Sequence, residues 1–155
     1  MGLATVAIGR VKKNLFWLVS RVAFWAYRQA PIFGPWRASV GIVQDGTRFL
    51  VIRRNDGRGL SFPGGLALPW ETEEQTLVRE VREETGLRAE GCEFAFRYES
   101  SAVMPARIAV FRAQARGEIR GSWEGTPEWV EIAELRESII SSQTYIVERL
   151  SAASV

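Results

Sequence analysis

Thr72 and Gly86 bracket a stretch, Glu73–Thr85, whose local chemistry favours one regular structure, the α-helix. Thr72 followed three residues later by Gln75 is a capping box, and Glu73 and Glu74 suit the positive end of the helix dipole. Gly86 supplies the left-handed residue with which helices commonly end. Leu77, Val78 and Val81 recur at helical spacing and predict a face packed on a sheet. Glu80, Glu83 and Glu84 stand at i, i+3 and i+4, so they share a second face, expected to look toward solvent. Like charges at that spacing cost about 0.2–0.5 kcal/mol per pair, and they lie toward the end where the dipole disfavours negative charge. A divalent cation would remove the repulsion. Mg²⁺ takes hard oxygen ligands, typically a few carboxylates completed by water and phosphate. A solvated acidic face is the other reading of the same three residues.

The flanking sequence reads as strands. Ala38–Gln44 and Thr47–Arg53 are two β-rich runs around Asp45-Gly46, a hairpin signal. Two more strands are expected around Cys92–Glu99 and Arg107–Ala115, and a short one at Trp129–Ile132. A last helix starts after Ser141 or Ser142 and contains Tyr145, Ile146 and Leu150. Strands on both sides of a central helix, without regular alternation, predict an α+β fold. Its form is an α/β/α sandwich with a mixed β-sheet between helices.

Absent residues narrow the chemistry. With no histidine in 155 residues, Ser-His-Asp and Cys-His arrangements and an imidazole base are excluded, and so is histidine-ligated zinc. A lone cysteine, Cys92, forms no intrachain disulfide and sits in an alternating run that reads as a strand, which suits a reducing, cytoplasmic setting. Charge is unevenly spread. Residues 1–44 hold Arg10, Lys12, Lys13, Arg21, Arg28 and Arg37 and no acidic residue, whereas all 18 acidic residues lie beyond them.

This division suggests a basic arm at residues 1–37, joined to a domain at 38–155. Residues 10–30 read as an N-terminal amphipathic helix. Arg21 and Arg28 interrupt its apolar run, which disfavours a membrane span, and no small-residue cleavage site follows it. Lys13, Trp17, Arg21, Phe24 and Arg28 form one stripe, opposite Leu15, Leu18, Val19 and Val22. That pattern suits packing on the domain, a homodimer contact, or peripheral attachment to a membrane surface. Nucleic acid is disfavoured as a partner because the domain itself is acidic.

The longer stretch Gly65-x₅-Glu71-x₇-Arg79-Glu80-Val81-x-Glu83-Glu84-x-Gly86-Leu87 resembles the Nudix box at all nine defining positions. The resemblance extends over about residues 38–150, since Nudix domains place a hairpin before the Pro-Gly-Gly entry and strands after the helix. It implies the Nudix fold and a hydrolase, related to MutT, that cleaves a pyrophosphate bond. The substrate expected is a nucleoside diphosphate linked to another group: a nucleoside triphosphate, a dinucleotide or a nucleotide sugar.

By the same resemblance, Glu80, Glu83 and Glu84 would hold Mg²⁺, with Mn²⁺ able to substitute, and the Gly64 carbonyl would complete the site. Gly64 and Gly65 would let the backbone approach metal and diphosphate closely. Arg79 would pair with Glu71 and tie the helix to its preceding loop. The base would be Glu80 or a later glutamate. Trp123-Glu124-Gly125-Thr126-Pro127-Glu128-Trp129 resembles the loop where MutT-related enzymes supply a further acidic ligand, which points to Glu124 and more weakly to Glu128. An exposed loop glutamate is the plain alternative for Glu124.

The chain departs from the family pattern at Leu68 and Trp70, often glutamate and glycine, which leaves loop shape and substrate fit open. Trp70 would either stack on a base or pack. Three other readings of the whole chain are a non-catalytic Nudix-fold binding module, a membrane-surface protein, and an isomerase of prenyl diphosphates. The last is disfavoured by the short chain and the missing histidine.

Overall fold

The computed structural model describes residues 34–152. The expected arm helix at residues 10–30 lies outside the described residues. Strand β1 (Trp36–Asp45) holds six consecutive buried residues, Ala38–Val43, as a strand covered on both faces must. It turns into β2 (Arg48–Arg54), with Asp45 opposite Arg48. The two-residue loop is therefore Gly46-Thr47, one position later than the Asp-Gly pair suggests. Gly46 has φ +59° and no non-glycine residue described has positive φ, which is the glycine-first hairpin turn.

Two short strands follow around the Pro-Gly-Gly entry, β3 (Leu60–Ser61) and β4 (Gly64–Leu66), where the sequence predicts no strand. Helix α1 (Glu73–Thr85) has the expected ends. Both halves of the capping box form, and Gly86 closes the helix at φ +75°. Strands β5 (Arg88–Ser100), β6 (Ala106–Arg116) and β7 (Gly125–Glu131) run longer than expected. Helix α2 (Ile132–Ser138), unforeseen in the sequence, precedes a 3₁₀ turn (Ser141–Gln143) and α3 (Thr144–Ala152).

The sheet is mixed, ordered β3-β2-β1-β6-β5. β1 pairs in parallel with β6 over eight residues, whereas β5–β6 and β2–β7 are antiparallel. The first half of β1 also pairs with β4, setting Val40 opposite Gly64 and Ser39 opposite Gly65. On one face Leu77, Val81 and Leu87 pack with Val43, Leu50, Ala109 and Phe111. On the other, Leu135, Ile146, Val147 and Leu150 pack with Val40, Ile42, Val51 and Val110. The α/β/α sandwich is the observed architecture, and Cys92 packs half-buried beside the first core. Among the described residues, no helix is long and apolar enough to cross a membrane.

Candidate functional site

α1 can reach the sheet closely because Gly41 lies beneath it. A Cβ there would stand 2.7 Å from Leu77 Cδ1. Ser39, fully buried on β1, donates its hydroxyl to the Glu73 carbonyl at 2.7 Å and fixes the start of the helix. With the helix so placed, its last two turns lie over the Pro63-Gly64-Gly65 entry to β4.

The three carboxylates of α1 are not equivalent. Glu84 is only 4% exposed and accepts a hydrogen bond from the Gly64 N–H at 2.8 Å. The Glu80 side chain is 13% exposed, and that of Glu83 is 60% exposed. The expectation of one solvent-facing acidic face is therefore corrected. At 3.6 residues per turn Glu84 falls within about 20° of Leu77 on the helix wheel, so it continues the inward stripe. Glu80 comes next round the wheel and Glu83 last.

Gly64 and Gly65 provide the room. A Cβ on Gly64 would come within 2.2 Å of the Ser39 carbonyl oxygen, and Gly64 adopts φ +155°. A Cβ on Gly65 would meet the Glu80 carboxylate at 2.4 Å. Both positions exclude side chains because strand β1 and the carboxylates already occupy the space.

Arg79 organises the outer part of the site. It donates to both Glu71 oxygens at 2.7 and 3.0 Å, to Glu80 at 2.7 Å, to Glu83 at 3.2 Å and to the Leu66 carbonyl at 3.0 Å. Glu71 also accepts from the Leu68 N–H and the Thr76 hydroxyl, and Arg37 donates to its carbonyl at 2.5 Å. Arg79 holds the Glu71 carboxyl down at about 2, with the Leu68 N–H assisting. The pairing of Glu71 with Arg79 thus occurs as expected.

Glu124 reaches the same place from the loop before β7. Its carboxylate lies within hydrogen-bonding reach of Glu84. Asn55 pins that loop, donating its side-chain amide to the Trp123 carbonyl at 3.1 Å and its backbone N–H to the Glu124 carbonyl at 2.9 Å. No local signal marks Asn55 in the sequence, since its partners lie 68 residues on or further. Glu128 turns elsewhere and pairs with Arg53 at 2.6 Å. Trp70 is 77% exposed, which removes packing as its role.

Burial raises the Glu84 carboxyl well above the usual carboxylate range, and the neighbouring Glu124 and Glu80 add to the rise. Burial likewise raises Glu80, against the opposing pull of Arg79. The single guanidinium of Arg79 faces Glu71, Glu80 and Glu83 together, and Arg54, the other cation near Glu84 and Glu124, is bound by Asp56 at 2.6 Å. The cluster carries a surplus of negative charge. Among the described residues no three acidic side chains already converge as a ligand cage. Arg79 draws Glu80 and Glu83 toward itself.

Comparison with known proteins agrees with this architecture. The NUDIX domain model matches residues 35–150. A MutT-like protein of Streptomyces ambofaciens is 35% identical over 117 residues, covering 74% of this chain and 73% of that relative. A Bacillus subtilis protein named as a candidate 8-oxo-dGTP diphosphatase is 38% identical over 58 residues, 37% of this chain and 36% of its own length. The E. coli ORF135 protein superposes with a TM-score of 0.68 at 20% identity, over 79% of this chain and 92% of that one. The MutT protein of Bacillus halodurans does so with a TM-score of 0.64 at 24% identity, over 74% and 81%. Matched over three-quarters of its length, with the helix, the glycine entry and the sheet in their places, the chain belongs to the NUDIX family of pyrophosphohydrolases.

Proposed function

We propose that this chain hydrolyses a pyrophosphate bond in a nucleoside diphosphate linked to another group, in a reaction that depends on Mg²⁺, with Mn²⁺ as a substitute. The observation that supports it most is the Glu84–Glu124 pair. Two neighbouring carboxylates, one of them buried, form a site whose charge is balanced best by a cation. The donor set fits Mg²⁺, since Glu80, Glu83, Glu84, Glu124 and the Gly64 carbonyl are all hard oxygen ligands. Glu83 has the freedom to leave Arg79 for such a site, because its side chain is the exposed one. When bound, the metal supplies charge neutralisation on the phosphate oxygens and an activated water.

The chain's own residues do the rest. Arg79 and Glu71 hold the α1 terminus against the loop, so Glu80 and Glu84 keep their places. Gly64 and Gly65 leave a surface bare of side chains on which a diphosphate lies against the backbone. Glu80 takes the proton from the attacking water. Burial raises its carboxyl above the usual carboxylate value, which suits a base. Glu124 is the second candidate for that task. The nucleoside class draws support from the Bacillus subtilis relative's name, which specifies a nucleotide.

The test is a hydrolysis screen of nucleoside triphosphates, dinucleotides and nucleotide sugars with Mg²⁺, Mn²⁺ or chelator. Turnover in at least one class, lost with chelator, is expected. No turnover in any class, with no rise in melting temperature on adding Mg²⁺, would leave a non-catalytic binding module as the reading.

A further inference from the structure

The last turn of α1 meets the start of β5 and the end of β6 at a pocket of about 360 Å³. Arg82, Arg88 and Arg116 line it, Glu90 is the acidic residue among them, and Gly86 and Gly117 border it. The pocket shares no residue with the carboxylate cluster. At 3.6 residues per turn Arg82 points nearly opposite to Glu84, two positions on.

Its arginines are placed at a cost. Residues 38–155 carry 14 arginines, no lysine and 18 acidic residues, so acidic partners are plentiful. Arg53, Arg54, Arg79 and Arg97 each reach a carboxylate at 2.7 Å or closer. Arg82 and Arg88, both exposed, reach none among the described residues. Arg88 also stands directly opposite Arg116 in the β5–β6 pairing. Opposed residues of neighbouring strands share a face about 5 Å apart, where like charges repel. Glu90 relieves Arg116 alone, at 3.2 Å. Glu118, whose carbonyl lies beside Gly86, is taken by Arg120 at 2.9 Å.

The end of α1 opposes an anion only weakly. A helix C-terminus carries about half a negative charge. Here its carbonyls are occupied, Arg82 O by the Gly86 N–H at 3.0 Å and Thr85 O by the Arg120 N–H at 2.8 Å. Three guanidinium groups against one carboxylate leave a surplus of two positive charges, which outweighs that half charge. Guanidinium presents paired N–H donors that match the oxygens of a phosphate. Exposure keeps the affinity modest and sensitive to salt.

We propose that Arg82, Arg88 and Arg116 form a binding site for a phosphate group bearing two negative charges, either free phosphate or a phosphomonoester. The site lies apart from the carboxylate cluster and stands whether or not the hydrolase reading does. Gly117 opens the segment that leads to Glu124, and the Arg120 N–H fastens that segment to α1. A phosphate in the pocket ties the end of α1 to the base of the segment that presents Glu124.

The test is a titration of the isotope-labelled full chain with inorganic phosphate, and separately with AMP, followed by proton–nitrogen NMR in chelator. Without metal the carboxylate cluster repels both ligands. The Gly86 and Gly117 amides and the Arg82 and Arg88 Nε–H signals should shift saturably in the millimolar range. Arg82→Gln combined with Arg88→Gln should weaken binding by about tenfold or more. Glu90→Gln should do the reverse and tighten it several-fold, because it frees Arg116 and removes the repelling charge. Circular dichroism and melting temperature establish that the variants are folded. Binding of both ligands, or of phosphate alone, supports the site and tells the phosphomonoester from the free ion. Absence of shifts with phosphate would overturn the proposal. So would undiminished affinity in the folded double variant, or weaker binding in folded Glu90→Gln.

Discussion

Glu84 and Arg79 occupy the same helix yet answer to different physics. Glu84 is buried, accepts one N–H bond and adjoins a second carboxylate. Glu84→Gln keeps the shape and an acceptor for Gly64 but removes the charge that would hold a cation. Turnover should fall on the order of 10²-fold or more, while the metal-free melting temperature holds or rises. Steady-state kinetics beside calorimetry checks both halves, and activity within a few-fold of the parent would remove Glu84 from the site. Arg79→Ala acts through other residues. It strips Glu71, Glu80 and Glu83 of their shared cation, so stability and rate should drop together, the rate by roughly tenfold or more. Arg79→Lys should restore little, because one ammonium cannot reproduce the forked contact with both Glu71 oxygens. An Arg79→Ala variant with parental melting temperature and kcat would reduce the network to a surface contact.

Between elements, the glycines show how near the strands and helix approach. Gly41 and Gly64 both face a neighbour too close for a Cβ, but the neighbours differ. At Gly41 it is the tip of Leu77, which can rotate, whereas at Gly64 it is the Ser39 carbonyl and the Val40 Cα. Gly64→Ala must push β4 from β1 and pull the Gly64 N–H off Glu84. Gly64→Ala should therefore cost more stability than Gly41→Ala, whose penalty should stay within about 1–3 kcal/mol. Urea unfolding of the pair reads the difference. Equal midpoints would mean that β4 yields as easily as the Leu77 side chain does.

For the whole molecule, the buried carboxyl of Glu84 links stability to pH and metal. The Glu84 carboxyl is raised in the folded chain above its ordinary 4.5, toward about 9, by burial first. The folded state then binds more protons than the unfolded state across that window. Metal-free stability should accordingly fall as pH rises through it. Mg²⁺ replaces the proton, so its stabilising effect should grow over the same range and binding should release protons. Melting curves at several pH values, with Mg²⁺ and with chelator, give both trends. A metal-free melting temperature that climbs steadily across the window, with a Mg²⁺ increment independent of pH, would contradict the assignment.

Much of this was legible in one dimension because it depends on neighbours in the chain. The capping box at Thr72, the stop at Gly86 and the inward row Leu77–Val81 follow from 3.6-residue periodicity, and α1 has those ends. The hairpin was legible too, though its loop slid one residue because pairing register, set by Asp45 opposite Arg48, chose Gly46-Thr47. Short strands β3 and β4 were not, since two- and three-residue strands carry no periodicity and exist only through pairing with β2 and β1. Helix α2 carries little local signal, and Leu135, the residue it buries, becomes core only against the sheet.

At the site, residue types and spacing determined which carboxylates belong together along α1, and the resemblance to the Nudix box implied that Arg79 answers Glu71. The tertiary structure decided their inequality. Glu84 is drawn inward by the Gly64 N–H, Glu83 is left to solvent, and Asn55 brings Glu124 from the far end of the chain to meet Glu84. Charge type is a property of each residue. Burial, which makes that charge costly and so favours a cation, arises only where strand, loop and helix meet.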